Sequence, residues 1–254
     1  MNKVYPLKVD GCKDPDEKTR FPPKKRKQLH SIILKVVTDT RTLFAGAMME
    51  GIYKALQEQT AETEKVLGKS LIKYDPRYVL LTETLDETTD YLAAEVKAEF
   101  PANQVEIRKF EAMGELLPER REVMFGGRRI ATIFPTVACH AFYTMSISLP
   151  DDNDNPFLVR VASIDTSIQI LYSMWFGKLQ KTVGMRILCV LQSLIDVDAH
   201  MRLDNPKNSK ISLFPYTCLG HQPSLPELKK AHRERVLEKK ESVKKYLESI
   251  LEKD

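Results

Sequence analysis

Cysteine is scarce in this chain: Cys12, Cys139, Cys189 and Cys218 are the four among 254 residues. So few, so widely scattered, they do not make the disulfide scaffold of a small secreted domain, and they point to a reducing compartment. Long apolar runs are absent too. None approaches the roughly 18 residues that crossing a bilayer requires, so neither a membrane-spanning segment nor a membrane partner is expected. The opening Met1–Pro6 lacks the apolar core of a secretory signal. Also missing are the Gly-x-x-x-x-Gly-Lys loop that cradles phosphates and the Gly-x-Ser-x-Gly elbow of serine hydrolases, which leaves both chemistries unsupported. No internal repeat and no low-complexity tract interrupts the sequence.

What remains is ordinary globular material. Hydrophobic residues make up 43% and charged residues 29%, enough for one large or two small domains with a substantial core. Thirty-nine basic and 35 acidic residues leave a net charge of +4, too small a surplus to identify a nucleic-acid partner by itself. Its placement says more. Lys24, Lys25, Arg26 and Lys27 form a compact run, and the C-terminal stretch is dense in lysine and arginine. Such clusters bind phosphate by releasing counterions, and they also occur on plain solvated surfaces.

Residues 1–27 carry prolines and charges without a period and read as an irregular basic arm. Helical spacing begins at Gln28 and runs to Thr38 through Leu29, Ile32, Ile33, Val36 and Val37. Thr42 to Leu56, containing Ala45-Gly46-Ala47, reads as a second, buried helix. Residues 57–74 are polar and include a loop. Tyr78–Thr82 is a short apolar strand, followed by a helix from Asp86 to Phe100 that Pro101 stops. Gln104–Phe110 alternates as a half-exposed strand. Glu122–Phe125, Gly126-Gly127 and Arg129–Pro135 carry the signal of a β-hairpin. Asp151–Pro156 reads as a surface loop and Phe157–Ser163 as a strand. Asp165 or Thr166 is placed to cap an apolar helix, Ile168–Phe176. Another helix spans Met185–Leu194, and a charged one spans Ser224–Asp254.

Several of these pieces together carry a resemblance. Ala138-Cys139-His140, the run Arg160-Val161-Ala162-Ser163-Ile164-Asp165-Thr166, the helix reaching Tyr172 and Phe176, and Cys218-Leu219-Gly220-His221-Gln222 recur in order. Their spacing resembles the poly(A) polymerase catalytic subunits of large nucleocytoplasmic DNA viruses, over residues 30–240. The resemblance implies an α+β fold. A nucleotidyltransferase-like palm, a mixed sheet with helices, would occupy residues 28–150, and a mainly helical region with a charged terminal helix would occupy 151–254. It also implies template-independent addition of adenylate to RNA, from ATP with divalent metal, in the host cytoplasm or the virion.

The residues that would perform this chemistry depart from the family pattern. The active strand carries two acids after proline; here Arg77 and Val79 follow Pro76. The third carboxylate sits on a later strand; here that position is Thr132. The glycine pair before the palm helix reads Ala45-Gly46. Two-metal nucleotidyl transfer needs carboxylates to hold hard cations, and valine, threonine and arginine do not hold them. The expectation is a pseudoenzyme with no cofactor and no metal. It would act by binding RNA, another viral protein or a second copy of itself, with Lys24, Lys25, Arg26, Lys27, Arg128 and Arg129 as contact residues. Two alternatives stay open. In one, the chain is an active polymerase using Asp75 with Glu83 or Asp86. In the other, it is a purely structural capsid or scaffold component.

Lesser constellations have plainer explanations. Cys139-His140 with Cys218-x-x-His221 holds the ligand inventory of a zinc site, but neighbouring strand residues point to opposite faces. Asp196 and Asp198 with His200 fit a solvated helix end. Arg77 is either a surface side chain or a cation standing where metal would bind, paired with Asp75 or Glu83. The apolar positions Val243, Leu247 and Ile250 of the last helix suit packing on the body or on a second subunit.

Overall fold

A computed structural model describes residues 21–46, 49–57, 68–69, 71–72, 76–114, 117–149, 156–177, 184–199, 217–221 and 223–251. The readings that concern residues 1–20, Asp75, the 151–155 loop and His200 lie outside them. By compactness the chain divides into Met1–Gly220 and His221–Asp254.

The first unit is built on one eight-stranded mixed sheet. Its elements are α1 (Pro23–Asp39), β1 (Leu43–Ala45), α2 (Met49–Gln57), β2 (Tyr78–Thr82), α3 (Leu85–Glu99), β3 (Val105–Phe110), β4 (Arg120–Phe125) and β5 (Arg128–Pro135). They continue with β6 (His140–Ile147), β7 (Phe157–Ala162), α4 (Ile164–Phe176), α5 (Gly184–Ala199) and β8 (Cys218–Leu219). The strand order is β3-β4-β5-β2-β1-β7-β6-β8. β1 is antiparallel to β2 and parallel to β7, and β2 is parallel to β5. The sheet therefore runs across residue 150, and the palm expected over 28–150 shares it with β7.

Local chemistry accounts for most of these elements. Pro23 opens α1 at a position whose N–H has no helical partner in any case, so residues 23–27 are helical and not part of an irregular arm. Asp86 and Glu87 sit in the first turn of α3 and Lys97 in its last, which suits the helix dipole. Gly126 and Gly127 both take positive φ, 55° and 76°, as a tight two-residue hairpin turn demands.

Three expectations are corrected. Thr42–Leu56 is not one helix: Leu43–Ala45 is a strand, Gly46 turns the chain at φ 79°, and helix resumes at Met49. Its Ala and Met content favours helix locally, but sheet pairing on both sides overrides that preference. The cap of α4 is neither Asp165 nor Thr166 but Ser163, whose Oγ accepts from the Thr166 N–H. Third, cysteine is not present as free thiol among the described residues. Cys139 and Cys218, 79 residues apart, are joined with their Cα atoms 5.4 Å from each other, and Cys189 is disulfide-bonded as well.

One face of the sheet is roofed by α1 and α3. His30 of α1 hydrogen-bonds the Tyr78 hydroxyl, Phe44 packs on Tyr78 with ring centroids 5.0 Å apart, and the Thr82 and Thr88 hydroxyls meet at 2.9 Å. Burial pushes the Tyr78 hydroxyl far above its usual titration range. On the other face α4 packs on β1 and on α5, while α2 packs on α5. The Tyr53 hydroxyl of α2 donates to the Ala162 carbonyl at 2.6 Å.

The second unit carries α6 (Leu225–Leu251). Glu227 accepts from both the Ser224 N–H and its hydroxyl, each at 2.6 Å, which supplies the carboxylate half of a capping box at the helix start. Those donors and His221 hold the Glu227 carboxyl down to about 2.

β8 contributes two residues of pairing to β6, so the Cys139–Cys218 bond is its main tether. Replacing Cys218 with Ser should lower unfolding free energy by about 2–4 kcal/mol, the usual effect of opening a long loop. Denaturant titration of the variant against the native chain, without reductant, measures it.

Candidate functional site

Sheet register brings the substituted positions into one row. Ala45 is the Cα partner of Val79, Val79 of Thr132, and Thr132 of Glu122. Side chains at partnered positions share a face. Tyr78 and Thr82 face α1 and α3, so Val79 and its row face the other way. Ala45, Val79 and Thr132 are all buried. Gly46 lies directly against this row: a Cβ built on it would come 2.6 Å from Val79 Cγ2. Where the family pattern expects two acids and a third across the strand, the structure holds half-buried Arg77, buried Val79 and buried Thr132.

Arg77 stands two residues before Val79, just ahead of β2, half-buried and not free. Glu83 is exposed beyond the strand's end. Asp86 belongs to the opposite face: its Oδ1 accepts from Arg121 Nε at 2.9 Å and lies 3.7 Å from Lys109 Nζ. The Arg121 guanidinium beside it holds its carboxyl below the ordinary carboxylate range. Asp86 is therefore an ion-pair partner on the helix-covered side and does not join the row of Val79. Among the described residues no group of three or more His, Cys, Asp or Glu is arranged to hold a metal. The zinc inventory fails for a separate reason, because Cys139 and Cys218 are bonded to each other. His221 lies 3.3 Å from Glu227, and Asp196 is exposed on α5.

The basic residues divide between two places. Lys25 Nζ sits 5.6 Å from the Phe100 ring and 5.4 Å from Phe125, while the Arg128 guanidinium lies 4.8 Å from Phe21, whose ring meets Phe125 at 5.5 Å. Two sites far apart in sequence thus share one aromatic cluster. Lys24 is exposed beside it, Lys27 is half-buried, and Arg26 donates to the Ile72 carbonyl at 2.6 Å. Arg129 does not join them. It turns to the sheet face that carries Val79 and Thr132, where its Nη1 donates to Glu122 at 3.0 Å. Glu122 and Arg120, its neighbour two residues earlier on β4, were not among the residues singled out from sequence. The Arg-x-Glu spacing at the head of a strand was the available signal, since i and i+2 share a face.

No protein-family model matches the chain, and no curated protein matches it by sequence. Among solved structures, its fold is similar to that of the Megavirus polyadenylate synthase, with a TM-score of 0.57 and 14% identity over 88% of this chain. The match covers 44% of that protein, so this chain spans less than half the length of the structure it resembles. The chain thus shares the mixed α+β fold of that polyadenylate synthase over most of its length.

Closure of the row by Gly46 is testable. Gly46→Ala meets both a left-handed backbone and the Val79 methyls, and should cost about 1–3 kcal/mol. Combining it with Val79→Ala should recover the steric part, so a double-mutant cycle by chemical denaturation should give a coupling above about 0.5 kcal/mol. Strict additivity would mean that Gly46 does not press on Val79.

Proposed function

We propose that this chain is a non-catalytic relative of the viral poly(A) polymerases and acts by binding, as an accessory or virion-associated subunit. One observation carries the reading: Ala45, Val79 and Thr132 are in register, buried and without a carboxylate. Nucleotidyl transfer requires anions that hold two cations against the triphosphate and the attacking hydroxyl. Moving an ionised carboxylate into so closed a row would cost heavily unless it were paired. Nothing in the described structure favours the Asp86 alternative, because that side chain is engaged on the other face.

The direct test is primer extension with ATP, oligoadenylate and either magnesium or manganese. No extension above background is expected from the native chain. Extension that disappears on Asp75→Ala or Asp86→Ala would make the chain a polymerase.

The partner we infer is RNA, bound with help from the surface where Lys25 and Arg128 meet over Phe21, Phe100 and Phe125. Gel-shift affinity for a short single-stranded RNA should fall as salt rises. Removing Lys25 and Arg128 should each reduce the slope of log K against log salt by about one. A chain that binds no RNA at low salt but assembles with a protein of the same particle would instead fit the structural-component alternative.

A further inference from the structure

On the face of β3, β4 and β5 that carries Thr132 lies a second constellation. Arg120 Nε is 3.5 Å from Glu122 Oε1, and Arg129 Nη1 is 3.0 Å from the same oxygen. The three side chains are 8%, 10% and 13% exposed respectively for Arg120, Glu122 and Arg129. Arg120 also stacks on Phe110, its guanidinium carbon 4.0 Å from the ring centre. Arg108, the Cα partner of Glu122 on β3, is 48% exposed and tied to Glu106 at 2.8 Å. Three guanidiniums thus face two carboxylates, a surplus of one positive charge.

Arg120 Nε is buried and makes no hydrogen bond among the described residues. Its ion-pair partner at 3.5 Å, Glu122 Oε1, is shared with Arg129 Nη1. A buried cation without full pairing is costly, and proteins retain such groups where a ligand completes them. Stacking on Phe110 fixes the plane of the guanidinium before any ligand arrives. Two preset guanidiniums suit the several oxygens of a phosphate better than a lone point charge would. Glu122 is one strand from Thr132 and two from Val79, so the cluster lies about 5 and 10 Å along the row from positions that hold no metal-binding acid.

We propose that Arg120 and Arg129, with Arg108 at the open side, form a phosphate-binding site that works without metal. Its ligand is a phosphate group of a nucleotide or of RNA. This rests on the non-catalytic reading of the row at Ala45, Val79 and Thr132, and deepens it: arginine supplies the positive charge that divalent cations would have provided.

The test uses the full chain in the presence of EDTA, with inorganic phosphate, ATP and a short oligoadenylate as separate probes, followed by thermal shift and titration calorimetry. Native protein should be stabilised progressively by phosphate, beyond chloride at equal ionic strength. Arg120→Met should bind about ten- to a hundred-fold more weakly, the effect of losing charged hydrogen bonds. Arg120→Lys, which keeps charge and loses the fork, should fall between them. If Arg120→Met does not fold, Arg129→Gln makes the same measurement. Tighter binding of ATP or of oligoadenylate identifies the source of the phosphate. Equal stabilisation of native and variant proteins, or a response no greater than that to chloride, overturns the proposal. A positive primer-extension result with an Arg120-dependent phosphate response would overturn the non-catalytic reading while leaving the site in place.

Discussion

Three residues hold the sheet together. Leu43–Ala45 is the strand that joins β3-β4-β5-β2 to β7-β6-β8, antiparallel to one neighbour and parallel to the other. Everything of functional interest follows from that insertion. It sets Ala45 beside Val79, brings Gly46 down on the Val79 methyls, and places the start of α4 at the end of β7. A strand so short has little stability of its own; it persists because both its edges are paired and both its faces are covered.

Charge on the sheet is sorted by alternation. Arg121 and Arg120 are neighbours in sequence, yet Arg121 goes to the face covered by α3 and meets Asp86, while Arg120 goes to the opposite face and meets Glu122. One face therefore uses its arginine to anchor the start of α3. The other gathers the Arg120 and Arg129 guanidiniums around Glu122.

Regular spacing made much of the fold legible. α1, β2, α3, β3, the β4–β5 hairpin with its glycine turn, β7, α4 and α5 all declare themselves by period, by turn residues or by both. The failures share a cause. Leu43–Ala45 is too short to show alternation and sits in Ala- and Met-rich sequence, so only its partners make it a strand. β6 was passed over between more conspicuous motifs. Four scattered cysteines argued against disulfides, because the approach of Cys139 to Cys218 depends on an edge strand closing 79 residues later.

By itself the sequence determined that positions 77, 79 and 132 carry no acid, since residue identity needs no coordinates. It determined as well that the chain alternates helices and strands around a large core. Only tertiary structure decided that Ala45, Val79 and Thr132 form one buried row, that Asp86 is spent on the opposite face, and that Arg120 and Arg129 share Glu122. Those are matters of register and burial. A side chain's face and its neighbours across the sheet are set by hydrogen-bonded pairing between strands far apart in the chain, which no local pattern encodes.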